Sequence, residues 1–221
     1  MILILTLELA IAISNVNVPS LVSEIISVFY SKNRPISYDK TYSSSAIIKM
    51  NNLELRVFGN IEKNIARIAI VSPYNDKSDN YKEILKVLEV LTSLESFSKA
   101  KIIHLELISR SQRDLPFRVS SIQKFIDVLK KAICDVGIVV DSVTTKEIGE
   151  INLVSISGRY LLGIDIVLTT IVAVIRNRST SIMVSLSKCY NSFKIELIRL
   201  MKKLSLETEL ILNYIMSNIT H

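Results

Sequence analysis

One tripeptide of this chain has the residue types of a phosphate-binding turn. Ser157-Gly158-Arg159 follows the apolar run Ile151–Ile156 and precedes a second apolar run, Tyr160–Ile175. If the first run is a strand and the second a helix, the tripeptide lies at a helix N-terminus, where unpaired N–H groups and a partial positive charge attract anions. Gly158 then lets a phosphate approach the backbone, and Arg159 binds it through two parallel hydrogen bonds. The alternative is a plain connection with a solvated arginine.

Two more polar segments, the predicted loops Ser72–Ser78 and Ser109–Arg118, follow predicted strands. In a parallel sheet the carboxyl ends of the strands meet at one edge, so these segments are expected beside the glycine turn. A tyrosine can stack on a base, an amide can hydrogen-bond its edge, and an arginine can bind phosphate. The alternative is that each residue is simply an exposed loop side chain. The ligand-binding candidates of these segments are Ser72, Tyr74, Asn75 and Arg113.

Residues for acid–base or metal chemistry are scarce. The two histidines are His104, inside an apolar strand and expected in the core, and His221, the last residue. No metal-ligand spacing, P-loop, dinucleotide-binding glycine motif or nucleophile elbow occurs. Cys134 and Cys189 lie in apolar surroundings and are expected to be buried free thiols. We therefore expect a non-enzymatic protein with no catalytic residue, metal or cofactor.

The order of apolar segments predicts an α/β fold. From residue 65 onward strands and helices alternate, which indicates a Rossmann-like, largely parallel sheet with helices on both faces. Asn51-Asn52 predicts the turn of a β-hairpin near 46–58. The predicted domains are 1–188, with this hairpin inserted, and a helical segment, 189–221. Another parse, two βαβββα units, requires Leu161–Val174 to be a strand, a length less typical of strands.

Composition and charge restrict the class of partner. The net charge of +6 suits a polyanion, although the absence of a long Lys/Arg run leaves simple solubility as the alternative. The first fourteen residues lack the charged start of a signal peptide, and Tyr160–Ile175 is too short for a membrane span. We expect a cytoplasmic protein without membrane contact. Its 49% hydrophobic residues leave apolar surface for a partner.

The second half of the chain resembles the CRISPR-associated Rossmann-fold (CARF) domains of antiviral defence. The resemblance is carried by the turn Ser155–Tyr160, the following helix up to Ile175, the closing strand Ser181–Leu186 and the upstream strand Ile68–Pro73. Leu204–Asn218 is similar to the first helix of the winged-helix module that some members carry. The second glycine and the lysine of the family's turn are missing here.

The resemblance implies a homodimer that binds a cyclic oligoadenylate where two turns face each other. Ser157, Gly158 and Arg159 would then contact phosphate. The first hypothesis is accordingly a non-enzymatic sensor of a nucleotide second messenger. The second is a nucleic-acid-binding or assembly subunit that uses the positive charge and the C-terminal helices. The third is a structural protein that oligomerises through the amphipathic helix Phe193–Leu204.

Overall fold

The computed structural model describes residues 4–31, 37–42, 44–50, 53–73, 80–115, 119–177, 179–190 and 196–219. The strands are β1 (Ile4–Ser14), β2 (Ser37–Tyr42), β3 (Ser45–Met50), β4 (Leu53–Asn60), β5 (Ile65–Pro73), β6 (Lys101–Leu115), β7 (Val139–Ile148), β8 (Ile151–Leu162), β9 (Asp165–Ile175) and β10 (Thr180–Tyr190). The helices are α1 (Val18–Ser31), α2 (Asn80–Thr92), α3 (Glu95–Ser98), α4 (Ile122–Asp135) and α5 (Leu197–Ile219).

The chain divides into two compact units. The N-terminal unit comprises Thr6–Leu107 with Cys189–Met201, and the C-terminal unit comprises Ile108–Lys188 and Lys202–His221 with residues 1–5. Strands of the N-terminal unit lie in the order β2-β3-β4-β5-β1, and those of the C-terminal unit in the order β10-β9-β8-β7. Each of these neighbouring pairs is antiparallel.

The prediction of a Rossmann-like, largely parallel sheet is therefore wrong, and with it the structural basis of the CARF resemblance. The element order is instead β-α-β-β-β-β-α, and it occurs twice along the chain, apart from the short helix α3. The disfavoured parse into two βαβββα units is right about the repeat, but each unit has one more strand and Leu161–Val174 contributes to two strands rather than one. The predicted hairpin near 46–58 is confirmed as β3 and β4, although its turn, Asn51-Asn52, lies outside the described residues.

The predicted helix Tyr160–Ile175 is the clearest error. The segment forms the end of β8, a tight turn and the whole of β9, with Leu162 paired to Asp165 across the turn. Gly163 has φ +70°, a backbone conformation that glycine adopts without steric cost and that two-residue hairpin turns require. Eight of the eleven β9 residues are Ile, Val or Thr, whose branched Cβ favours a strand.

Gly158 lies within β8, opposite Val140 of β7, and a packing constraint accounts for it. A Cβ added there would stand 2.5 Å from the Val139 carbonyl oxygen and 3.0 Å from a methyl group of Ile138. The glycine therefore permits the close approach of the segment that enters β7. The prediction of a strand-end turn at this residue is wrong.

Alternation along the strands decides which residues form each core. In β8 and β9, Val154, Ile156, Val167, Ile171 and Ala173 are almost completely buried, whereas their neighbours in sequence are half-buried or exposed. This pattern is typical of an antiparallel sheet with helices on one face. Helix α4 contributes the buried side chains Phe125, Ile126, Leu129, Ala132 and Ile133.

Three smaller findings complete the comparison with the sequence. Cys134 and Cys189 are exposed and form no disulfide bond, so the prediction that they are buried is wrong. The segment after Ile108 is not a loop, because β6 continues to Leu115. Among the described residues, none of the helices has the length and apolar character that crossing a lipid bilayer requires.

Replacing Gly158 with alanine should destabilise the protein by about 1–3 kcal/mol, because the new methyl group overlaps the Val139 carbonyl. Urea unfolding followed by circular dichroism measures this loss. Ser157→Ala, one residue earlier in the same strand, is the matched control and should change the free energy of unfolding by less than about 0.5 kcal/mol. Equal stability of Gly158→Ala and the wild type would contradict the packing explanation.

Candidate functional site

The three residues predicted to bind phosphate lie in the middle of an antiparallel strand. Ser157, Gly158 and Arg159 are central in β8, and successive side chains point to opposite faces of the sheet. No helix begins after them, so the helix N-terminus on which the sensor hypothesis depends is absent from this segment. Arg159 instead donates from Nε and Nη2 to the Asp141 carboxylate, at 2.8 to 3.2 Å. Ligand binding by these residues stays a prediction.

The other predicted site residues are not brought to one strand edge. Ser72 is fully buried in β5 of the N-terminal unit, where its hydroxyl donates to the Pro73 carbonyl. Arg113 lies in β6, in the part of that strand that belongs to the C-terminal unit, and its Nε is buried. Tyr74 and Asn75 lie outside the described residues. The premise that these side chains follow parallel strands at one edge is therefore wrong.

Antiparallel pairing gives the C-terminal unit a sheet face that sequence reasoning missed. We call it the open face, because it is opposite to the face on which the buried residues of β8 and β9 lie. The register places twenty side chains on it: Val139, Ser142, Thr144, Lys146 and Ile148 of β7; Ile151, Leu153, Ser155, Ser157, Arg159 and Leu161 of β8; Ile166, Leu168, Thr170, Val172 and Val174 of β9; Ser181, Met183, Ser185 and Ser187 of β10.

A row of four hydroxyl groups crosses this open face. Ser142 pairs with Ser157, Ser157 with Thr170, and Thr170 with Ser185, so that one hydroxyl side chain comes from each of the four strands. A hydroxyl donates one hydrogen bond and accepts two, and its proton rotates to suit the partner. The row can therefore bind a partner whose acceptor groups are evenly spaced.

Aliphatic side chains lie on both sides of the hydroxyl row. On one side Leu168 is 53% exposed, and Leu161 and Ile166, which pair with each other, are exposed as well. On the other side Val172 pairs with Met183. Exposed aliphatic groups that form a continuous patch indicate a surface that another molecule covers.

The charges of the open face are few and positive. Its two ionisable side chains are Lys146 and Arg159, and no Asp or Glu is among its twenty residues. The nearest acid found in contact with them is Asp141, at a β-bulge of β7, which is paired with Arg159. Within the described residues no cluster of His, Cys, Asp or Glu could hold a metal ion. The surface therefore offers mainly hydroxyl and aliphatic groups to a ligand.

Helix α5 fixes the opposite face of β8. Tyr160 donates its phenolic hydrogen bond to a carboxylate oxygen of Glu207, and Lys203 Nζ donates to the Leu162 carbonyl at 3.3 Å. Burial of the phenol, with the hydrogen bond to Glu207 and its negative charge, raises the pKa of Tyr160 to about 12. These contacts hold α5 on the side of the sheet away from the hydroxyl row.

A signal for the open face was present in the sequence. Ser155 and Ser157 alternate with Val154 and Ile156, which is the period of a half-buried strand. Interpreting it as a continuous apolar run that ends in a turn, as the phosphate-site prediction does, is wrong. His104 was likewise expected in the core, yet its side chain is 45% exposed and its Nε2 lies 3.6 Å from Cys189 Sγ.

The raised pKa of Tyr160 predicts a loss of stability at high pH. The phenol ionises near pH 10 in the unfolded chain and near pH 12 in the folded one, so its contribution is present below pH 10 and lost between pH 10 and 12. Urea unfolding of wild type and Tyr160→Phe across pH 9 to 11.5 should show the wild type losing its advantage as pH rises. Parallel curves would contradict the assignment.

Comparison with known proteins adds no family to this description. No family model matches the chain, and no curated protein matches it. The function therefore has to be inferred from the geometry of the two units and from the chemistry of their exposed faces.

Proposed function

We propose that this protein is a non-enzymatic nucleic-acid-binding protein and that the open face of β7, β8, β9 and β10 contacts duplex DNA. The observation that carries the proposal is the hydroxyl row Ser142–Ser157–Thr170–Ser185, flanked by exposed or half-buried aliphatic side chains. The twenty register positions of the face include no Asp or Glu, and the carboxylate of Asp141, at the β7 bulge, is paired with Arg159. The overall charge of +6 is consistent with a polyanionic partner.

The chemistry of the open face fits the minor groove better than other nucleic-acid surfaces. The floor of the minor groove presents acceptors, adenine N3 and thymine O2, to which hydroxyl groups can donate. Its walls are deoxyribose rings, which pack against side chains such as Leu168 and Val172. Proteins that bind this groove use strands or arms, and they frequently insert aliphatic side chains between base steps.

Single-stranded nucleic acid and the major groove of duplex DNA fit the open face less well. Single-stranded nucleic acid is held by bases stacked on aromatic rings, and none of the twenty open-face residues is aromatic. The major groove is read through base contacts by charged and amide side chains, whereas the open face offers only Lys146 and Arg159 of that kind. Contact with the minor groove requires neither aromatic rings nor many charged and amide side chains.

The width of the face adds an expectation about the DNA. Four strands about 4.8 Å apart span about 14 Å, whereas the undistorted minor groove is about 6 Å wide. Contact along the whole hydroxyl row therefore requires a widened groove and a bent duplex. Flexible TA and CA steps bend at lower cost than stiff A-tracts, so we expect sequence preference to follow deformability.

Replacing Leu168 with glutamate should weaken duplex binding at least tenfold, because the new carboxylate would face the sugar–phosphate backbone. Fluorescence anisotropy with a 20-base-pair duplex rich in TA steps measures the dissociation constant. Leu206→Glu is the matched control, since Leu206 is 58% exposed on α5 and receives the same substitution. Equal affinity of the two variants, or no duplex binding by the wild type at low salt, would overturn the proposal.

The cation of the open face predicts a salt dependence. Lys146→Ala should weaken binding to all duplex sequences by a similar factor and should lower the slope of log affinity against log salt by about 0.9, the value for one lost phosphate contact. The same anisotropy titrations between 50 and 200 mM NaCl provide the measurement. An unchanged slope would show that Lys146 does not contact phosphate.

A further inference from the structure

The N-terminal unit has its own open face, and its chemistry differs. In β4 the side chains of Leu55 and Val57 are buried, so those of Arg56 and Phe58 lie on the opposite face. Gly59 points toward α1, where an added Cβ would overlap the Val18 side chain, and this confirms which face the helix covers. Phe58 is consequently an aromatic ring that is 49% exposed on a sheet face.

Two arginines flank this ring. Arg67 is directly opposite Phe58 on β5, and Arg56 is opposite Ala69. The Arg67 side chain is 57% exposed, and its contact with Glu8, from Nη2 to Oε1, is 3.9 Å long and therefore too long for a hydrogen bond. Arg56 is paired with Glu54. Arg67 thus has the more available guanidinium.

The residues around the ring leave space for a ligand and supply hydrogen-bond donors. On the side of Arg67 away from Phe58, the next residue across the sheet is Ala12 of β1. Its small side chain leaves space above the sheet near the ring. Asn60 lies two residues after Phe58 on the same face, and its Oδ1 accepts a hydrogen bond from the Lys63 backbone. This bond orients the Asn60 amide, whose nitrogen carries two donors.

We propose that Phe58, Arg67 and Asn60 form a binding site for an unpaired nucleobase of single-stranded nucleic acid. The base stacks on the Phe58 ring, because every base has a flat π-face that an aromatic side chain accepts. The Arg67 guanidinium binds the adjoining phosphate through two parallel hydrogen bonds, and the Asn60 amide donates to an acceptor of the base. Charge complementarity between Arg67 and phosphate favours this partner over an uncharged apolar surface.

The site is independent of the duplex-binding proposal. It lies in the other unit and depends on an aromatic ring, a feature that the open face of the C-terminal unit lacks. The two proposals therefore fail separately. Loss of duplex binding in Leu168→Glu, for example, carries no expectation for Phe58.

A single tryptophan tests the site directly. The chain contains no Trp, so Phe58→Trp introduces the only one, at a position exposed enough to accept the larger ring. Titration of this full-length variant with oligothymidylate of twelve residues should quench its fluorescence by at least half, as stacking on a base requires. Leu206→Trp, on α5, is the matched control and should not be quenched.

Arg67 variants and a titration with a mononucleotide identify the chemistry of the ligand. Adding Arg67→Ala to the Phe58→Trp variant should raise the dissociation constant about tenfold, whereas Arg67→Lys should raise it less. Thymidine monophosphate should bind at least tenfold more weakly than the oligonucleotide, and equal binding would overturn the assignment to a strand. Absent quenching in a variant with wild-type circular dichroism, or equal quenching of Leu206→Trp, would overturn the site itself.

Discussion

The antiparallel pairing of β8 with β9 is the constraint on which the account of the C-terminal unit depends. Because paired residues share a face, the register from Asn152–Ile175 to Leu162–Asp165 decides at once which side chains are buried and which form the open face. A slip by one residue would place Val154 and Ile156 in solvent and Ser155 and Ser157 against the helices. The free-energy cost of exposing those apolar side chains to water fixes the register. The hydroxyl row is a consequence of that register.

Local elements of the fold could be predicted from the sequence more readily than their pairing. Helices α1 and α4, strands β1 and β5 and the β3–β4 hairpin follow from apolar periodicity, proline placement and short-range turn chemistry. Whether strands run parallel or antiparallel depends on the connections between them. One misassigned segment, Tyr160–Ile175, was enough to change the expected sheet, because interpreting two paired strands as a crossover helix makes the neighbours parallel.

The sequence held evidence against that helix. The run Ile166-Val167-Leu168-Thr169-Thr170 is dominated by β-branched residues, which lose rotamer freedom in a helix. Gly163 divides the apolar stretch where a hairpin turn falls. The nearly uniform hydrophobicity of β9 concealed this, because four of its five outward-facing side chains are also aliphatic. A strand that is apolar on both faces cannot be recognised by alternation, and here the uncovered apolar face is itself the candidate interface.

The candidate site was beyond sequence reasoning for a related reason. Its side chains are ordinary serines, threonines and leucines, drawn from four strands, and they acquire meaning only through the register that aligns them. Gly158 and Arg159 have the residue types of a phosphate-binding turn. In the structure the glycine accommodates the Val139 backbone, and the arginine is paired with Asp141. The two units also differ: one exposes hydroxyl and aliphatic groups, the other an aromatic ring beside an arginine.

Methyl-resolved NMR during titration with a TA-rich duplex tests the central claim most directly. The account predicts that methyl signals of Leu168 and Val172 on the open face shift or broaden, while those of Ile156 and Ile171 beneath the sheet and Leu206 on α5 change little. Perturbation confined to α5, with the open-face methyl groups unaffected at saturation, would contradict it.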